Sequence, residues 1–123
     1  MNTAHHKNQA FQRRLRFALH GLAHGLRSEH SLKVQAATFG VVIIVLLMLR
    51  PGPLWWALVL LSSAAVMAAE LFNTAIEHLA DHLHPELHPQ IRIVKDCAAA
   101  GVLVAVLGAV GVGIAFVIQL LER

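Results

Sequence analysis

Apolar and polar positions in this chain are sorted into long blocks, and the blocks predict four helices. From Phe11 to Arg27 the spacing is that of an amphipathic helix. Phe11, Leu15, Ala18, Leu19, Leu22 and Leu26 fall on one side, and Arg13, Arg16, His20, His24 and Arg27 on the other. Basic side chains, few acids and a clean apolar face describe a helix lying in a membrane interface. The soluble alternative is a helix packed on the protein's own core. The predicted surface helix covers 11–30, and the polar stretch Met1–Gln9 is expected to fray.

Three apolar blocks follow, at 32–49, 54–80 and 97–121, each read as a transmembrane helix. Lys33 and Arg50 can snorkel at the two ends of the first. Arg50-Pro51-Gly52-Pro53 reads as a turn, and Trp55 and Trp56 stand where interfacial tryptophans are expected. The uncharged part of the second block, Leu54 to Ala69, is short for a full crossing. Either the membrane includes the turn of Glu70 or water reaches it. Pro85 and Pro89 predict a break between Asp81 and Ile93. In the third block Gly101, Ala105, Ala109 and Gly113 recur every four residues, the spacing of a close-packing face.

Composition narrows the class. The 123 residues suffice for one domain; 57% are hydrophobic and 14% charged, against about 25% charged in a soluble domain. The expectation is a small all-α integral membrane protein. A single cysteine, Cys97, excludes an internal disulfide and reads as a small packing residue at a helix start. The net charge of +3 is concentrated near the N-terminus without aromatic interleaving, which argues against nucleic acid as a partner. The N-terminal basic section leads into charged, periodic sequence, so it is not read as a cleavable signal. Lys7, Arg13, Arg14, Arg16, Arg27 and Lys33 precede the first span, and Arg92 and Lys95 separate the second from the third. Only Arg50 lies in the other loop, with Arg123 at the far end. The positive-inside rule then predicts a cytoplasmic N-terminus and a cytoplasmic Glu70–Lys95 region, on the side where ATP is found.

The candidate chemistry lies at the end of the second span. Glu70, Asn73, Glu77 and Asp81 project within about 80° of one another on a helix. Acids that follow an uncharged run need partners or a function; the plainer alternative is a helix leaving the membrane with its polar side in water. No glycine-rich phosphate loop, serine elbow or protein-kinase signature is present. Phosphoryl transfer needs Mg²⁺, a cation for the phosphates and a base. Glu29 and Glu77, on neighbouring helices, can supply carboxylates to a Mg²⁺ that also holds substrate phosphates. Glu70 lies deeper, and a carboxylate withdrawn from water binds a proton more readily, as a general base must. His78, His82, His84 and His88 crowd beside Asp81; His78 and His82, one turn apart, could share Zn²⁺, or the histidines are simply solvated.

Glu70-Leu-Phe-Asn73-Thr-Ala-Ile-Glu77-x-x-x-Asp81, followed by Lys95-Asp96-x-Ala98-Ala-x-x-Val102-Leu103, resembles the prokaryotic diacylglycerol kinase family, which includes undecaprenol kinase. The resemblance runs from about Phe11 to Ile118 and takes in Gly21 and Glu29. It implies a homotrimer of three-span subunits in the bacterial inner membrane, with active sites shared between subunits. It implies a base at Glu70 supported by Asn73, Glu29 and Glu77 on the metal of Mg-ATP, and nucleotide contacts from Glu86, Leu87, His88, Lys95 and Asp96. The chain departs from the family pattern at Ala10, where an arginine is usual and Arg13 or Arg14 is offered instead. It departs again at Phe17 for a tyrosine, Gln35 for an acid and Ala99 for a serine. The Asn73–Glu77 wording and the His88-Pro89 pair are similar to undecaprenol kinases. The expected function is ATP-dependent phosphorylation of a lipid alcohol, diacylglycerol or undecaprenol. The alternatives are a small histidine-rich metal-binding or transport protein and a purely structural membrane subunit.

Overall fold

Two prolines in this chain start helices rather than stop them. The computed structural model describes residues 3–122, with side chains from Ala10 onward. It has four helices: α1 (Thr3–Ser28), α2 (His30–Leu49), α3 (Pro53–Leu83) and α4 (Pro89–Leu121). Pro53 and Pro89 each occupy a first-turn position, where the missing N–H is no loss and the fixed φ is already helical. The His88 ring completes the start of α4 by accepting the Gln90 N–H through Nδ1 at 3.2 Å. The expected break over Asp81–Ile93 is therefore confined to His84–His88. Cys97 lies more than two turns inside α4 and is exposed, so it is not a packing residue at a helix start. α1 begins at Thr3, ahead of the expected Phe11, so the backbone there is helical rather than frayed; Met1, Asn2 and Arg123 lie outside the described residues.

α1 and α2 are separated by one residue. Glu29 is extended (φ −99°, ψ 123°), while its backbone N–H still reaches the Gly25 carbonyl at 2.9 Å. α2 ends at Arg50, which adopts a left-handed conformation (φ 47°) and donates its N–H to Leu46 O at 2.8 Å. Three of the helices, α2, α3 and α4, are long and apolar enough to cross a membrane. The chain is thus an all-α, multi-pass membrane protein with an amphipathic helix ahead of its spans.

α3 and α4 lie side by side and make the most extensive contact; α2 packs on α3, and α1 touches α2 and α3. Val106, Gln119 and Leu120 of α4 are partly covered too, but its continuous line of covered residues is Ile91, Lys95, Ala98, Val102, Ala105, Ala109, Val112 and Phe116. Their spacing alternates between three and four, the knobs-into-holes period. Gly101 and Gly113 are exposed, and a Cβ added to either meets nothing within 4 Å. The expected four-residue stripe is therefore not the face that packs on α3. A period of four drifts about 40° per step on a helix of 3.6 residues per turn, so only Ala105 and Ala109 stay on the seam.

The chain's core sits at the end of the spans away from Glu70. Leu46, Val59 and Phe116 are buried together, with Trp55 against Phe116 at 5.0 Å between ring centroids. A second contact point lies at the other end, where Gly25, Leu32 and Leu71 meet; Leu32 is wholly buried. α1 from Phe11 to Gly21 is exposed, including Phe11, Leu15 and Leu19 of its apolar face. Between α2 and α4, over α3, lies an apolar cavity of about 400 Å³, lined among others by Phe39, Val42, Met67, Val106 and Val110.

Candidate active site where the α3–α4 seam turns polar

The packing seam of α3 runs from Val59 and Val66 into Glu70, Asn73, Thr74, Glu77 and Ala80. The same face that packs apolar residues at one end carries the acids at the other. Val59 meets Phe116 in one buried cluster, and Lys95 pairs with Asp81. These two contacts fix an antiparallel register in which Glu70 lies level with Ala105 and Glu77 with Ala98. Small side chains on α4 thus stand opposite both acids and leave them room.

Helix rise places these residues in depth. At 1.5 Å per residue, Glu70 lies about 25 Å along α3 from Pro53, Glu77 about 36 Å and Asp81 about 42 Å. A hydrocarbon layer is about 30 Å thick. A layer of that thickness counted from Trp55 would end near Ala75, between Glu70 and Glu77. Lys95, counted back from Leu121, stands about 39 Å along α4, consistent with its pairing to Asp81.

Glu70 is 8% exposed, and no side chain among the described residues hydrogen-bonds its carboxylate. Thr74, one turn on, is also buried. Asn73 donates Nδ2–H to Glu77 Oε1 at 2.9 Å, while its own Oδ1 is buried without a partner. Glu29 reaches α3 from the α1–α2 break: His78 Nε2 donates to Glu29 Oε1 at 3.2 Å. Because His78 follows Glu77, this contact brings Glu29 to the turn that carries Glu77. The two expected metal carboxylates thus share a level, each engaged through one oxygen by a neighbouring side chain.

The residues expected at the nucleotide are spread along the far side of the same end. Lys95 donates to Asp81, joining α4 to α3. Asp96 stands 3.9 Å from Arg92 Nε, one turn away on α4. His88 caps α4 and lies 5.2 Å from the His84 ring, and Glu86 and Leu87 are fully in the open connector. Sequence reasoning passed over the His78–Glu29 and Asp81–Lys95 contacts. The closeness of His78 to Glu77 along the chain was the signal available for the first.

Among the described residues no three His, Cys, Asp or Glu side chains converge as a metal site. Glu29 and Glu77 are instead two hard carboxylate donors brought to one level of α3 by the His78 contact. Such a set suits Mg²⁺, which keeps water and phosphate oxygens around it and takes one or two carboxylates from protein. Zn²⁺ held by the histidines would need a closed group of nitrogen or sulfur ligands.

The model of the family described as prokaryotic diacylglycerol kinase matches residues 16–117 of this chain. A curated relative, named diacylglycerol kinase, from Synechocystis sp., is 33% identical over 99 residues. That match covers 80% of this chain, which spans 57% of the relative's length.

Proposed function

Because this chain belongs to the prokaryotic diacylglycerol kinase family, we propose that it is a lipid kinase that transfers the γ-phosphate of ATP to the hydroxyl of a membrane lipid alcohol. The observation that carries the reading is the depth ladder on α3. Glu70 is buried on α3, Glu77 follows it by about 10 Å along the axis, and Glu29 reaches the turn of Glu77 through His78. A lipid boundary passing between Glu70 and Glu77 would leave the first in lipid and the others in water. A greasy alcohol and a water-soluble phosphate donor can meet only at such a boundary.

In this mechanism Glu70 accepts the proton of the lipid hydroxyl as its oxygen bonds to the γ-phosphorus. The bond from that phosphorus to the bridging oxygen breaks, and ADP leaves. Asn73 orients Glu77 through its amide N–H. Glu29 and Glu77 would hold Mg²⁺, which neutralises phosphate charge when bound. Lys95 exchanges Asp81 for phosphate oxygens, and Asp96, Glu86, Leu87 and His88 border the nucleotide. The same reading places the protein in the bacterial inner membrane with its N-terminus in the cytoplasm, as a homotrimer with shared sites. The broad apolar surface left open on α2 and α4 gives neighbouring subunits a place to pack.

The lipid is diacylglycerol or undecaprenol, and one experiment separates them. Purified protein in vesicles receives labelled ATP and Mg²⁺ with both alcohols side by side. Label is expected in one lipid, and Glu70→Ala is expected to lower turnover by about 100-fold or more while ATP still binds. Label in neither lipid, or full turnover in the Glu70 variant, overturns the reading.

A further inference from the structure

Glu29 has an obvious local use that it does not take. As the N-cap residue of α2 it stands where an acidic side chain ordinarily accepts first-turn amides, yet it makes no side-chain cap. Its carboxylate turns across to α3 and accepts the His78 Nε2–H. The His78 ring stands nearly perpendicular to that of His24 on α1, with ring centroids 6.1 Å apart. The His78 side chain is 55% exposed, too open for packing to account for its placement.

We infer that His78 is a positioning residue for phosphoryl transfer: its N–H draws the Glu29 carboxylate off α2 and holds it on the turn of α3 that carries Glu77. The inference rests on the reading above, in which Glu29 and Glu77 serve the nucleotide's cation. Two oxygen donors, one from the α1–α2 break and one from α3, are then ordered before the cation arrives, which removes part of the cost of ordering them on binding. The property required at position 78 is an N–H donor rather than a charge. Partners of this kind behind a metal ligand typically alter metal affinity about 10–100-fold.

The test uses the full chain in lipid nanodiscs, with Mn²⁺ as a paramagnetic probe titrated by electron paramagnetic resonance alongside a non-hydrolysable ATP analogue. His78→Leu is expected to weaken Mn²⁺ binding about tenfold and to raise KM for Mg-ATP far more than it lowers kcat. His78→Gln, which returns a neutral N–H, is expected to restore most of both. His78→Ala carries the comparison should the leucine variant fail to fold. Unchanged Mn²⁺ affinity in the leucine or alanine variant overturns the inference, as does a glutamine variant as weak as leucine. Glu29→Gln and Glu77→Gln separate the two levels. If neither weakens Mn²⁺ binding, the cation assignment fails and this inference with it; if both do while His78→Leu does not, only the role of His78 fails.

Discussion

Asn73 divides its amide between two tasks: the N–H holds Glu77, and the buried oxygen is left without a partner. A net hydrogen bond contributes about 0.5–1.5 kcal/mol, while an unsatisfied buried acceptor costs about 1–3 kcal/mol. Asn73→Ala removes both, so stability in detergent should fall by no more than about 0.5 kcal/mol and can rise. Loss of Glu77's orientation should lower kcat/KM about 100-fold. Stability and activity are then separable at one position, and a parallel fall in both would make Asn73 a packing residue. Lys95 and Asp81 are 34% and 61% exposed in their side chains. Exposed pairs contribute about 0.2–1 kcal/mol, so a double-mutant cycle of Lys95→Met and Asp81→Asn should give a stability coupling within that range. A charged hydrogen bond to phosphate is larger, and Lys95→Met should raise KM for ATP about ten- to hundredfold. A stability coupling of several kcal/mol would make the pair structural.

At the scale of elements, Gly25 sets how closely α1 approaches the spans. A Cβ there would stand 2.7 Å from Leu32 Cδ1 and 3.1 Å from Leu71 Cδ2. Leu32 is fully enclosed and has nowhere to retreat. Gly25→Val should therefore lower stability by about 1–3 kcal/mol, read as a lower thermal midpoint, whereas Gly21→Val, beside open space, should not. The spans were legible in the sequence because a bilayer demands uninterrupted apolar runs, and the acid stripe because its members share one helix. Pro89 was misread because proline both ends helices and begins them, and only the preceding His88 cap distinguishes the two. The glycines of α4 did not mark its seam with α3, because a strict four-residue spacing is not the period of that seam. Glu29 and His78 are 49 positions apart, and no local pattern encodes a contact made by how α1, α2 and α3 converge.

At the scale of the molecule, α2 is matched to the bilayer while its neighbours are not. Its 20 residues span about 30 Å, whereas the 31 of α3 and 33 of α4 reach about 46 and 50 Å. The excess projects on the side of Glu77, Asp81 and Lys95. If the lipid boundary runs between Glu70 and Glu77, only about 10 Å apart along the axis, the host lipid decides which of them is submerged. Phospholipids with long acyl tails should drown the outer carboxylate and short ones should strand the inner one. Turnover in vesicles of graded tail length should peak at an intermediate value and fall on both sides. A flat profile would mean that the shoreline does not run between those two residues.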